Sequence, residues 1–163
     1  MEIENKKILL IGGAGFIGSH TLDLLLKEPV KELIVFDNFT RGSYNNIENA
    51  LKDKRVKIYD KGGDICHKDI LDDALNDIDG VFHFAALWLL HCWNFPESAF
   101  KTNIEGSFNV FNSCIKNNAE RLVFSSSASV YGDALETPMT EDHPFNNNNL
   151  YGATKIAGEQ LAK

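Results

Sequence analysis

The stretch Ile11-Gly12-Gly13-Ala14-Gly15-Phe16-Ile17-Gly18-Ser19 decides how this chain folds. It joins the apolar run Lys7-Ile-Leu-Leu-Ile11 to a helical pattern, and it fits both G-x-x-G-x-x-G (Gly12, Gly15, Gly18) and G-x-G-x-x-G (Gly13, Gly15, Gly18). Between a strand and a helix, glycines at these spacings do separate jobs. The first permit a tight turn, Gly15 lets backbone approach a pyrophosphate, and Gly18 lets the helix pack closely on the strand. The start of that helix offers backbone N–H donors and the positive end of its dipole, which makes Phe16 and Ile17 candidate cofactor-binding positions together with the glycines.

Working outward, short β-rich runs alternate with helical patterns. Lys7–Ile11, Glu32–Phe36, Val56–Tyr59, Gly80–Phe84 and Arg121–Phe124 read as strands. Phe16–Lys27, with Ile17, Leu24 and Leu25 near one face, Ile70–Ile78, and Glu97–Lys116, with Phe100, Ile104, Phe108 and Phe111 at helical spacing, read as helices. Strand-helix-strand repetition without hairpin dipeptides predicts parallel pairing through crossover helices, hence a doubly wound α/β sheet in the order 3-2-1-4-5. The asparagines Asn146–Asn149 form a polar loop rather than a domain linker, because a helical pattern follows at once. That pattern, Tyr151–Lys163, runs to the chain's end without Gly or Pro, so the expectation is one dinucleotide-binding domain over residues 1–163, incomplete at its C-terminus.

The 163 residues are 44% hydrophobic and 24% charged, the proportions of an ordinary globular domain with one core. Sixteen Lys and Arg against 23 Asp and Glu give a net charge of -7 with no basic stripe, so neither nucleic acid nor an anionic membrane is an expected partner. Cys66, Cys92 and Cys114 make an odd count without a C-x-x-C pair, which predicts reduced thiols and no metal site. The longest apolar stretch, Val81–Leu90, contains His83 and is far short of a membrane span, and the acidic start of the chain is no signal peptide. A soluble, cytoplasmic protein is the expectation.

The glycine turn gains meaning from an acid at the end of the second strand. Asp37 stands there, nineteen residues past Gly18, where a carboxylate would accept hydrogen bonds from an adenosine ribose and repel a 2′-phosphate. NAD is therefore favoured as cofactor, with Arg41 keeping NADP in view. Farther on, Ser125-Ser-Ser-Ala-Ser-Val-Tyr-Gly132 follows the fifth strand, and Tyr151-Gly-Ala-Thr-Lys155 opens the last helix. Tyrosine and lysine four apart share one helix face, so an ammonium can lie near a phenol.

In this order the motifs resemble the extended short-chain dehydrogenase/reductases, specifically the NAD-dependent epimerase/dehydratase family of nucleotide-sugar enzymes, over essentially the whole chain. The resemblance implies a Rossmann fold and a set of roles. Gly12, Gly15 and Gly18 match the family's phosphate turn, Asp37-Asn38 its ribose site, Asp64-Ile65 its adenine contact, and Phe82-His-Phe84-Ala85-Ala86 the segment lining the dinucleotide; Ser125 is taken as a further cofactor contact. Asn103 matches its helix asparagine, Ser127 its catalytic Ser/Thr, and Tyr151 with Lys155 its catalytic pair. On this analogy Tyr151 removes a sugar hydroxyl proton, Lys155 holds the nicotinamide ribose and lowers the tyrosine pKa, and Ser127 hydrogen-bonds the reacting oxygen.

Two residues narrow the branch. Dehydratases of the family carry an Asp-Glu type pair after the catalytic Ser/Thr, whereas this chain has Ala128 and Ser129, neither of which titrates. A UDP-sugar 4-epimerase acting through a transient keto sugar is the expectation, with another NAD-dependent sugar oxidoreductase, a dehydratase, or a non-catalytic NAD-binding module as alternatives. Family members are about twice as long and include a C-terminal sugar-nucleotide domain absent here, and they often dimerise through a four-helix bundle, for which Glu97–Lys116 and the helix from Leu150 are candidates. The segment Leu87–Asn94 with Trp88, His91, Cys92 and Trp93 reads as a loop flanking the substrate or as packing. His20, His67 and His143 have no partner visible in the sequence, and Asp69, Asp72, Asp73, Asp77 and Asp79 read as a solvated helix face.

Overall fold

Ile8, Leu9, Leu10 and Ile11 are all fully excluded from solvent, which a strand achieves only when both its faces are covered and both its edges are paired. The computed structural model, which describes residues 2–163, supplies both. Strand β1 (Lys7–Ile11) pairs in parallel with β2 (Glu32–Phe36) on one side and β4 (Gly80–His83) on the other, and β3 (Val56–Ile58) and β5 (Arg121–Phe124) form the edges. The order is β3-β2-β1-β4-β5, as the crossover argument predicts. Helix α1 (Phe16–Leu25) crosses from β1 to β2, and α2 (Tyr44–Ile47) with a short 3-10 turn at Ala50–Lys52 lies between β2 and β3. Helix α3 (Lys68–Ala74) precedes β4. The run before β5 divides into α4 (Leu89–Asn94), α5 (Pro96–Ala99), a π-helical segment (Phe100–Gly106) and α6 (Ser107–Lys116). A 3-10 turn at Ala128–Val130 and α7 (Leu150–Leu161) complete the chain.

The alternation of side chains along β1 sorts the core into two layers. Leu9 and Ile11 join Leu71, Ala74, Val110, Phe111 and Cys114 on the side of α3 and α6. Ile8 and Leu10 join Leu22, Leu25, Ile47 and Ala50 on the side of α1 and α2. The chain divides into two compact units: Met1–Ala85 with Asn109–Ser125 holds the sheet, and Ala86–Phe108 with Ser126–Lys163 holds α4, α5, the π segment and α7. Among the described residues, no helix is long and apolar enough to cross a membrane.

The structure corrects several sequence expectations. On α1 the inward residues are Gly18, Ser19, Leu22 and Leu25, whereas Ile17 and Leu24 are exposed. Apolarity alone misassigned the stripe, because the small residues Gly18 and Ser19 occupy the inner face and allow close approach. The expected single stripe over Glu97–Lys116 fails in the same way: Phe100 and Phe108 are exposed and Phe111 is buried. Asn103, Gly106 and Ser107 take the inner positions instead, so small and polar residues rather than the phenylalanines mark the buried face. Leu87–Asn94 is largely helix α4 rather than loop. The acidic run is no idle solvated face: Asp73 accepts from the Tyr59 hydroxyl (2.6 Å) and pairs with Lys61 (2.8 Å), Asp72 pairs with Lys116 (2.6 Å), and Asp79 accepts the Lys7 N–H (2.8 Å). These contacts tie α3 and the turn after it to β1, β3 and α6.

The inward face of α1 can be read by truncation. Leu22→Ala should cost roughly 2–4 kcal/mol in urea unfolding, whereas Leu24→Ala should stay within about 0.5 kcal/mol of the parent chain. Equal losses at the two positions would contradict this packing.

Candidate functional site

In the sheet unit, the turn after β1 is shaped by two close approaches. Gly12 has φ +79, donates its N–H to the Phe36 carbonyl (2.8 Å), and lies so near the chain leaving β4 that a Cβ there would be 2.7 Å from the Ala85 nitrogen. At Gly18 a Cβ would sit 2.2 Å from the Gly12 carbonyl oxygen, so only glycine lets α1 start where it does. Gly15 differs: the one atom its Cβ would meet is the Gly12 oxygen, at 3.3 Å. That open side faces the start of α1, where Gly15 is the N-cap and offers no side chain to the first amides, those of Phe16 and Ile17. Phe16 and Ile17 themselves are exposed.

Asp37 is built into this turn. One carboxylate oxygen accepts the Ala14 N–H (2.9 Å) and the other the Phe39 N–H (2.8 Å), so the acid ties the glycine turn to the loop after β2. The second bond holds Phe39 at φ +56, a conformation a bulky residue seldom adopts. Asp37, Asn38 and Asp64 line one cavity of about 570 Å³, with Phe39, Tyr44, Tyr59 and His67 among its other walls. Ile65 does not share it: its side chain is core and its carbonyl accepts from Asn109 Nδ2 (3.2 Å). The amides of Phe84 and Ala85 both reach the Ile11 carbonyl (2.8 and 3.1 Å), and the Ser125 N–H reaches that of His83 (3.1 Å), so these backbones extend the ends of β1 and β4.

Sequence reasoning missed several residues here. Phe39 and Tyr44 stack with ring centroids 4.5 Å apart and planes 3° apart. A Cβ at Gly63 would lie 2.0 Å from the Asp37 carbonyl oxygen, and one at Gly42 would lie 2.7 Å from its carboxylate. Each depends on how a loop folds back, which leaves no periodic signal.

The second unit holds the tyrosine and lysine. Asn149 caps α7 by accepting the Gly152 N–H (2.8 Å), which puts Tyr151 in the first turn and Lys155 one turn later. A Cβ at Gly152 would lie 2.3 Å from the Ser129 carbonyl oxygen, so α7 packs directly on the 128–130 turn. Ser127, whose hydroxyl oxygen accepts the Ser129 N–H (3.2 Å), is thereby brought near enough to the Tyr151 phenol to favour its ionised form. Its neighbour Ser126 donates to Glu159, one further turn along α7. Burial pushes the Tyr151 phenol above its ordinary range, the Ser127 hydrogen bond lowers it, and nearby Cys92 raises it. Lys155, only 4% exposed, has its ammonium pushed down to about 8 by burial, against a raising influence from Cys92. Its Nζ lies 5.8 Å from the centre of the Tyr151 ring. The expected lowering of the tyrosine by this lysine is not the governing effect here, because desolvation favours the neutral form of both groups.

Asn103 and Ala86 also belong to this unit. Asn103 sits in the π segment, and its amide binds protein on both sides: Oδ1 accepts the Leu87 N–H (2.7 Å), while Nδ2 donates to the Leu87 carbonyl (2.9 Å) and to Thr154 Oγ1 (3.2 Å). Ala86 is half-buried just before Leu87. His143 is not a surface histidine: it is buried, Nε2 accepts the Leu135 N–H (3.0 Å), and Nδ1 lies 2.9 Å from the Pro144 carbonyl.

A profile described as the NAD dependent epimerase/dehydratase family matches residues 8–163. The UDP-glucose 4-epimerase of Dictyostelium discoideum is 36% identical over 99% of this chain and 47% of its own length. Among solved structures, the UDP-Glc/GlcNAc 4-epimerase of Campylobacter jejuni superposes with a TM-score of 0.88 at 29% identity, covering 96% of this chain and 47% of that one. The dTDP-glucose 4,6-dehydratase DesIV of Streptomyces venezuelae, solved with NAD bound, superposes with a TM-score of 0.88 at 30% identity, covering 95% and 50%. The chain thus spans about half the length of the relatives it matches.

The buried lysine makes stability depend on pH. Between about 8 and the ordinary lysine value of 10.5 the unfolded chain binds the extra proton, so stability should rise with pH across that window, and the full cost of the buried ammonium is felt below it. Urea unfolding of the parent chain should gain roughly 2–3 kcal/mol over this range relative to Lys155→Met. Parallel pH profiles for the two proteins would show that Lys155 titrates as an ordinary surface lysine.

Proposed function

The chain belongs to the NAD dependent epimerase/dehydratase family, and from that membership we propose that it is the cofactor-binding portion of a nucleotide-sugar 4-epimerase. The observation that carries the reading is the half-buried Tyr151, packed by α7 against the turn after Ser127 and one helical turn from the buried Lys155, with the non-titrating Ala128 and Ser129 directly after Ser127. An elimination of water needs an acid or base at that point; proton removal from a hydroxyl does not.

The residues present fit NAD. The open side of Gly15 and the uncapped start of α1 suit a pyrophosphate, and the cavity bounded by Asp37, Asn38 and Asp64 has room and hydrogen-bond acceptors for an adenosine. Bound NAD supplies a hydride acceptor that can return the hydride it takes. The chain's own residues handle the proton: Tyr151, once ionised, accepts it from the sugar hydroxyl, and Ser127 donates a hydrogen bond to the oxygen that is becoming a carbonyl. Bringing a phenol to neutrality of pKa takes roughly 4 kcal/mol of preferential phenolate stabilisation, a task for the Lys155 ammonium together with Ser127. We assign the substrate to the UDP-sugars, on the likeness to UDP-sugar 4-epimerases. A homodimer through the 97–116 run and α7 is part of the same reading, supported by the exposed Phe100 and Phe108.

Thermal-shift titration tests the cofactor. NAD should stabilise residues 1–163 more than NADP does, and Asp37→Asn should weaken NAD and narrow the gap; equal stabilisation of the parent chain by both cofactors defeats the assignment of Asp37. In a version extended to the length of its relatives, Tyr151→Phe should lower UDP-glucose/UDP-galactose interconversion at least about a thousandfold while NAD stays bound. Residues 1–163 alone should show no turnover, since positioning worth about 7–11 kcal/mol depends on the whole site. Robust epimerisation by the 163-residue chain overturns that expectation.

A further inference from the structure

Thr154 precedes Lys155 on α7 and is wholly buried. A β-branched residue is a weaker helix former than alanine, so local propensity does not account for a threonine there. Its hydroxyl makes two bonds. It donates to the Tyr151 carbonyl three residues back (2.7 Å), as helical threonines commonly do, and it accepts from Asn103 Nδ2 (3.2 Å), a residue far away in sequence on the π segment.

Asn103 cannot swing to follow a moving helix. Its amide grips both halves of the Leu87 backbone, accepting at 2.7 Å and donating at 2.9 Å, and two bonds to one residue fix the plane of the side chain. One Nδ2 hydrogen is committed to Leu87; the other points to Thr154, with Cys92 Sγ a more distant neighbour at 3.6 Å. The Thr154 hydroxyl has one proton for Tyr151 and lone pairs for Asn103, so donors and acceptors in this buried cluster balance.

We propose that Thr154 is a positioning residue: its hydroxyl, held between Asn103 and the Tyr151 carbonyl, sets the axial position and rotation of α7 and with them the presentation of Tyr151 and Lys155. The inference rests on the reading of Tyr151 and Lys155 as the catalytic pair. Valine has the same shape but neither donates nor accepts, so it leaves an Asn103 hydrogen facing a methyl group and removes the tie between the two helical segments. Serine keeps the tie. A released α7 admits water to Lys155, which sits on the very next residue.

The test follows the ε-carbon resonance of Lys155 with pH in residues 1–163, for the parent chain, Thr154→Val and Thr154→Ser. The parent midpoint should lie at about 8. Thr154→Val should raise it by about one unit or more, toward an ordinary lysine, and Thr154→Ser should stay within about 0.3 unit of the parent. If Thr154→Val does not fold, Thr154→Ala is titrated in its place against the same outcomes. An unchanged midpoint in a folded but less stable variant reduces Thr154 to packing and overturns the proposal, as does a serine variant that titrates like valine. The epimerase reading fails separately. A shifted midpoint, combined with no epimerisation by the extended protein, upholds the positioning and defeats the activity.

Discussion

Helix α1 stands so close to the end of β1 that a single methyl group at Gly18 would press within 2.2 Å of the Gly12 carbonyl oxygen. Much of the sheet unit's binding surface depends on that approach. It leaves α1 to start at Gly15 without a side-chain cap, and it places Ala14 where its N–H meets the Asp37 carboxylate. Asp37 then orders the loop after β2 through Phe39, and Phe39 stacks on Tyr44 to form part of the cavity wall. One steric constraint thereby propagates through three hydrogen-bonded or stacked neighbours to the far side of the cavity.

The other unit is organised by burial of polar groups rather than by close backbone approach alone. Lys155, Thr154 and Asn103 are buried, and Tyr151 is half-buried beside them. Such groups are tolerable only when bonded, and Asn103 bonds Leu87 and Thr154 while Thr154 bonds the Tyr151 carbonyl. Desolvation moves the phenol up and the amine down, so each leans toward its uncharged form. A charge brought into this environment is therefore felt strongly by both groups, which is the electrostatic condition a proton-transfer site needs.

The π segment connects the structural and chemical accounts. Asn103 is buried in it while Phe100 is exposed, and in α6 Val110, Phe111 and Cys114 belong to the core. The buried residues Asn103, Gly106, Ser107, Val110 and Cys114 follow helical i+3/i+4 spacing through the π segment and into α6. A reading that follows only apolar side chains passes over this face because a buried asparagine, glycine and serine carry it.

The sequence by itself determined the sheet: apolar runs at β1 and β2, the glycine turn and the strand-helix alternation are local patterns, and the central strand β1 is buried on both faces as its unbroken apolar run requires, whereas the edge strand β5 stays partly exposed. It also marked Gly12, Gly18, Asp37, Tyr151 and Lys155, because spacing along a turn or a helix face is itself local geometry, while Ser127 came from the family resemblance. Tertiary structure alone decided which side of α1 is inward, that Phe100 and Phe108 are exposed while Asn103 and Ser107 are buried, where Gly42 and Gly63 press against Asp37, and that Asn103 meets Thr154. Those outcomes depend on atoms distant in sequence competing for the same space and the same hydrogen bonds, and no short window of residues contains that competition.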